Sequence, residues 1–353
     1  MNIYDIASFG GFALVITFLL ALDLGVFHKD DHVITFKESA MWTGIWVGVA
    51  MLFGLGIFFF GEYLHGVSSM EQLQAINVSH GHGLRIDPAA GLAEGLAQYR
   101  QAMTLEFFSG YLIEFALSVD NIFVMILIFM SFGIDQKYYH RVLFWGIIGA
   151  VVLRLAFIFL CSALIQKFDW ILVVFGAIII ISGAKMLFAK EKKEKIDTEH
   201  HPAVRFASKY FNLVKEVVGH DFFVKRDGKW CATTLFLVLL VIEFSDIIFA
   251  VDSIPTIFSV TRDPYIVFFS NIFAIMGLRS LFFMVNSVMN MFCRLKMGLG
   301  VLLVFIGVKM LLNFFFDIEI GTGTSLIVII AIVLLSILAS ILFPKKETAK
   351  TVE

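Results

Sequence analysis

Apolar residues in this chain come in long blocks separated by short polar connections. A helix needs about 20 predominantly apolar residues to cross a bilayer. Nine blocks meet that length, near 8–27, 40–61, 105–134, 140–163, 168–189, 233–260, 265–288, 297–316 and 323–343. They predict nine transmembrane helices, numbered here as spans 1 to 9. The third and sixth exceed what one straight helix needs, so each is expected to tilt strongly or to break. Two connections are long. Residues 62–104 contain SHGHG, whose His80 and His82 could collect metal outside but read rather as a flexible polar loop, and a run of small residues at 88–97. Residues 190–232 open on KEKKEK and continue as VRFASKYFNLVKEVV, which predicts a short amphipathic helix at the membrane surface. The chain therefore divides into two N-terminal spans (1–61), an insertion (62–104), three spans (105–189), a basic loop (190–232), three more spans (233–316), and a last span with its tail (317–353).

Composition agrees with this reading. Of the 353 residues 59% are hydrophobic and 16% are charged, against about 25% charged in ordinary soluble domains. Forty Phe residues suit lipid-facing helices better than a soluble core. Alternating ten-residue strand patterns are absent, which argues against an outer-membrane barrel. The expected fold is an all-α polytopic membrane protein. Cys161, Cys231 and Cys293 are isolated and read as small apolar fillers. No removable signal peptide is evident, because the first block is long enough to span and lacks a basic leader. Net charge is -2 and says nothing about partners; its distribution does. Connections after the odd-numbered spans hold roughly 19 Lys and Arg, and the others roughly 4. By the positive-inside rule the N-terminus is expected outside and the C-terminus in the cytoplasm.

The second half repeats the first. SVDNIFV (118–124) resembles FSDIIFA (244–250), GAVVLRLAFIF (149–159) resembles FAIMGLRSLFF (273–283), and SGAKMLF (182–188) resembles IGVKMLL (306–312). Arg154 thus pairs with Arg279 and Lys185 with Lys309. The repeating unit is three spans, 3–5 and 6–8. An odd number makes the copies cross in opposite directions, an inverted repeat whose interface near the midplane is the expected binding site. The register at the acidic motifs stays open: Asp120 aligns with Asp246 in one register and with Asp252 in the other.

Charges inside the blocks are the candidate chemistry. The acids are Asp23, Glu114, Asp120, Glu243, Asp246 and Asp252; the bases are Arg154, Lys185, Arg279 and Lys309. An unpaired charge at the bilayer centre costs at least about 2.5–3.5 kcal/mol. Six acids and four bases leave two acids that need protons or a cation. Glu114, Ser118 and Asn121 share one helical stripe, as do Asp246, Ala250 and Ser253. A break near Ser118–Asn121 and a kink at Pro255 would aim these groups at one place. Carboxylates, an Asn amide, Ser hydroxyls and freed carbonyls form an all-oxygen set suited to Mn2+, Mg2+ or Ca2+. Acid–base pairs also staple helices in membrane proteins of every function, and Lys185 could simply snorkel. Glu62 and His65 are expected at the membrane interface.

The stretches GYLIEFALSVDNIFV, IEFSDIIFAVDSIPTIF and LALDLGVF resemble the TerC family of integral membrane proteins, named for tellurium resistance and similar to LysE-type exporters. The resemblance covers roughly residues 5–315, and the insertion at 62–104 is longer than that family leads one to expect. It implies a metal-ion transporter, with manganese efflux as the activity. It implies an ion site at Asp120 and Asn121 in the first motif and Asp246, Asp252 and Ser253 in the second, with Glu114 and Glu243 beside them. Tellurite is an oxyanion that an acidic site would repel, so resistance would be indirect.

The expectation is a transporter exporting a divalent cation, with the ion as substrate and no tightly bound cofactor. The partners expected are the ion and the lipid bilayer, without nucleic acid; oligomeric state is open, a homo-oligomer included. The competing reading is a membrane scaffold or assembly factor acting through the basic cytoplasmic loop, with the acids as helix staples. An enzyme is not expected, since no HExxH or Gly-x-Ser-x-Gly motif occurs.

Overall fold

A computed structural model of the chain describes residues 34–342 except 81, 85, 169, 189–200, 215, 227, 289–294, 317 and 319, together with residues 10, 11, 16 and 18. Span 1 for the most part, Asp23, the KEKKEK run, Cys293 and the residues after 342 lie outside the described residues.

Spans 2 to 9 are helical. They are α1 (Phe36–Phe60), α4 (Leu92–Ser131), α5 (Tyr139–Lys167), α6 (Ile171–Phe188), α8 (Thr234–Phe258), the pair α9 (Pro264–Met276) and α10 (Leu278–Val288), α11 (Leu295–Phe316) and α12 (Thr322–Leu342). Seven of these helices are long and apolar enough to cross a membrane alone, and α9 with α10 makes an eighth span, bent by 45°. The bend falls at Gly277. Outside the spans lie α2 (Glu62–His65), α3 (Met70–Ser79), and α7 (Pro202–Tyr210).

The helices pack as an inverted repeat requires. α4 lies against α9, and its counterpart α8 lies against α5, the counterpart of α9 and α10. The third helices of each copy, α6 and α11, lie against each other. Their contact is made through glycines. A Cβ on Gly183 would come 2.8 Å from the Gly300 carbonyl, and one on Gly307 would come 2.9 Å from that of Gly176. Gly176 meeting Gly307 while Gly183 meets Gly300 means that α6 and α11 run antiparallel. The repeat maps Gly176 onto Gly300 and Gly183 onto Gly307, so the two contacts are copies of one another. Bare glycine surfaces let helix backbones approach closely in lipid, where dispersion and close packing replace the hydrophobic effect.

The two long spans behave differently from expectation. α4 is continuous for 40 residues, with no break at Ser118–Asn121. At 1.5 Å per residue it is about 60 Å long, roughly twice the apolar thickness of a bilayer. Its excess length is covered by the insertion, whose Leu73 is fully buried, as are Tyr99 and Met103 on α4. Gly95 leaves room for Leu73 and Ile86. In α8 Pro255 falls in the last turn, and the helix continues to Phe258. There the Thr256 hydroxyl donates to the Asp252 carbonyl at 2.5 Å.

The 202–232 segment forms less helix than its pattern predicts. α7 ends at Tyr210 and a small sheet follows: β1 (Asn212–Leu213), β2 (Phe223–Arg226) and β3 (Lys229–Ala232) in the order β1-β3-β2. Gly228, at φ 78°, turns β2 into β3. Phe211, Phe223 and Phe236 cluster with ring centroids 4.5–5.9 Å apart, which ties the sheet to the start of α8.

Candidate functional site

Arg154 of α5 is 1% exposed in the centre of the bundle. Its Nε and Nη2 donate to the two oxygens of Asp246 at 3.3 and 2.9 Å. Its Nη1 donates to the Glu114 carboxylate and to Asn271 Oδ1, the latter at 2.8 Å. Four helices from both copies, α4, α5, α8 and α9, thus meet at one guanidinium. A forked guanidinium can serve two carboxylates and an amide at once, which an ammonium cannot. Two carboxylates facing one cation leave one negative charge over, or one proton.

Asp120 and Asp252 lie elsewhere. Both line an open cavity of about 550 Å³, together with Asn121, Ser253, Ser182 and Lys185. The Ser182 hydroxyl donates to Asp252 Oδ1 at 2.8 Å. Ser253 is buried, with its hydroxyl beside the Glu114 carboxylate. Glu114 and Asp246 thus both meet Arg154, and Asp120 and Asp252 both line the cavity. The expectation that Glu114 and Asp246 stand beside Asp120 as ligands meets a different arrangement, because Arg154 holds both. Lys185, read as a snorkelling residue, faces the same cavity as Asp252.

The remaining predicted residues are placed as follows. Glu243 packs its carboxylate against α5 at Gly149, where a Cβ would overlap it. Arg279, just past the bend at Gly277, is buried and pairs with His140 Nε2 at 2.8 Å. Lys309 lines a second cavity of about 420 Å³ with Glu106, His82 and Arg262. Glu106 and Asp120 are 14 residues apart on α4, about 20 Å at the helical rise.

That second cavity adjoins a cluster which corrects the flexible-loop reading of His80 and His82. His65, expected at the interface, is buried and bonds through Nε2 to Asp263 Oδ2 at 2.9 Å. His82 Nδ1 meets both Glu106 oxygens at 2.9 and 3.0 Å, and the Thr261 hydroxyl donates to Glu106 at 2.6 Å. Burial alone would push the Asp263 carboxyl up; the adjacent His65, with His80 and His82, outweighs this and holds it well below the usual range. Burial pulls His82 down, but its hydrogen bond and attraction to Glu106 leave it raised above 6.5. Asn271, Ser182, Glu106 and Asp263 were not singled out from the sequence. Each is one polar residue at the edge of, or within, an apolar block, a signal that exists in FFSNIF and LEFFSG but is common without function.

Around the Asp120 cavity the donors are carboxylate, amide and hydroxyl oxygens, which suit a hard divalent cation. No solved structure matches this chain. An "Uncharacterized membrane protein STKORF319" of Myxococcus xanthus is 41% identical over 83% of this chain and 80% of its own length. The "Putative membrane-bound redox modulator Alx" of Escherichia coli (strain K12) is 39% identical over 84% of this chain and 82% of its own. An "Uncharacterized membrane protein" of Rickettsia bellii (strain RML369-C) is 38% identical over 83% and 84%. The model of the integral membrane protein TerC family matches residues 99–348, which contain both acidic motifs, all three repeat pairs and the Arg154 network. The chain therefore belongs to the integral membrane protein TerC family.

Proposed function

We propose that this chain is a transporter that exports a divalent metal cation, manganese first, across the inner membrane. The observation that carries this reading is the meeting of Asp120 and Asp252, one from each inverted copy, at a single open cavity. Asn121, Ser182 and Ser253 supply neutral oxygens there. The deeper Arg154 stands where a second cation would stand, between Glu114 and Asp246. It serves as a tethered cation: an ion advancing from the cavity competes with the guanidinium for the same carboxylates. Rocking of one repeat against the other, with the bend at Gly277 as a hinge, would open the path on the opposite side. Protonation of Asp120 or Asp252 would release the ion, and loss of that proton would restore the site.

Among the described residues, Cys161 and Cys231 are free and neither lines the cavity. We assign these two no thiol chemistry, and a redox effect of the kind named for Alx would act through the ion moved.

Purified protein in vesicles loaded with a manganese-sensitive dye tests the reading. Wild type should move Mn2+, while Asp120→Asn and Asp252→Asn, equally folded, should lose on the order of tenfold or more of the flux. Even outer-shell partners of a metal are worth about 10–100-fold, and these are direct ligands. Unchanged flux in both variants would remove the carboxylates from the ion path and favour the scaffold reading.

A further inference from the structure

The insertion at 62–91 brings three imidazoles and a buried carboxylate together far from the Asp120 cavity. We propose that His65, His80 and Asp263 bind a first-row divalent transition ion of the Zn2+ type, with His82 poised as a fourth donor. The inference stands apart from the transport reading, since none of these residues lines the Asp120 cavity.

The ligand atoms of His65, His80 and Asp263 all lie within 4.8 Å of one another. His65 Nε2 and Asp263 Oδ2 are already 2.9 Å apart. In a tetrahedral site with bonds of about 2.0–2.1 Å, neighbouring donors lie about 3.3 Å apart, so closure needs only a small shift of His80. The backbone amide of Tyr265 donates to Asp263 Oδ1 at 2.9 Å, which turns Oδ2 toward the imidazoles.

His82 is the independent observation. Its side chain is fully buried. Its Nε2 has no hydrogen-bond partner and lies 4.0 Å from Asp263 Oδ2. A buried imidazole nitrogen left unbonded forfeits its hydration without return, so its placement calls for a reason. Its other nitrogen is fixed by Glu106, which Thr261 fixes in turn. A carboxylate behind an imidazole, with the far nitrogen facing a cluster of donors, is the support that metal-ligating histidines use. It sets the tautomer so that Nε2 presents its lone pair. A cavity of about 420 Å³ reaches the cluster at His82 and Glu106.

The donor set also separates this site from the other. Imidazoles favour Zn2+, Fe2+ or Ni2+ over Mg2+ and Ca2+, whereas the oxygens around Asp120 favour hard ions.

The test uses the full chain, purified in detergent and stripped of metal with a chelator. Zn2+ is titrated by calorimetry, and retained zinc is counted after gel filtration. Co2+ absorption reports nitrogen ligation. Wild type should retain one Zn2+ per chain. His80→Ala, which alters a half-buried residue at the end of α3, should weaken binding at least 100-fold; His65→Asn serves if that variant does not fold. Glu106→Gln should weaken it about 10–100-fold. Asp120→Asn should bind as wild type does. Absence of retained zinc in wild type, or equal retention in His80→Ala, would overturn the proposal. Loss in Asp120→Asn with retention in His80→Ala would also overturn it, by placing the ion in the other cavity, and would leave the transport reading standing.

Discussion

Arg154 carries the largest electrostatic load of any single residue described. It faces Glu114 and Asp246 with 1% exposure, so neither water nor lipid headgroup compensates the charges if it is removed. Truncating one partner of a buried ion pair costs about 3–5 kcal/mol. Arg154→Ala is expected to lose about that much, read as a lower melting temperature in detergent. Arg154→Lys should recover only part, because an ammonium cannot fork between two carboxylates. Replacing all three groups with apolar residues of similar volume should restore stability while transport stays lost. A melting temperature in Arg154→Ala equal to wild type would show that the network carries no stability. At this scale the sequence exposed Glu114, Asp120, Arg154, Asp246 and Asp252 plainly, because a charge within an apolar block has no cheap explanation. It hid Asn271 and Ser182, since neutral polar residues are ordinary in membrane helices. It also hid the bond between His65 and Asp263, which are 198 residues apart and meet only through the fold.

Among the elements, the contact of α6 with α11 is the most demanding. Cβ atoms on Gly183 and Gly307 would come 2.8 and 2.9 Å from backbone carbonyls of the partner helix, closer than real Cβ atoms approach. Overpacking a close contact costs typically about 1–3 kcal/mol. Gly307→Leu is therefore expected to lower the melting temperature, whereas Gly44→Leu on α1, with open space around it, should leave it unchanged. Equal effects at the two positions would contradict the close approach. The repeat was readable from sequence because the Arg and Lys pairs keep one spacing along the chain. The break was not. Counting apolar length treats every such residue as membrane, but the start of α4 is apolar because the insertion packs on it. The small sheet escaped because its strands are two to four residues long.

The scale of the whole molecule brings in orientation and use. The positive-inside rule predicts 202–232 in the cytoplasm and 62–91 outside. With the native cysteines replaced by Ala, Val78→Cys, at a site 81% exposed, should react with an impermeant maleimide in intact cells. Trp230→Cys, at a site 67% exposed, should react only after permeabilisation. The opposite pattern would reverse the molecule and with it the direction of transport. Deleting 202–232 separates transporter from scaffold, since a scaffold acting through that segment loses function while an ion path keeps it. The central claim is that Asp120 and Asp252 form an ion path. Its most direct test is metal content in cells expressing wild type or Asp120→Asn at equal levels under high Mn2+, with Mg2+, Ca2+ and Fe2+ read in parallel. Lower manganese in wild-type cells alone is the predicted result. Equal manganese in both, with no other metal changed, would contradict the account.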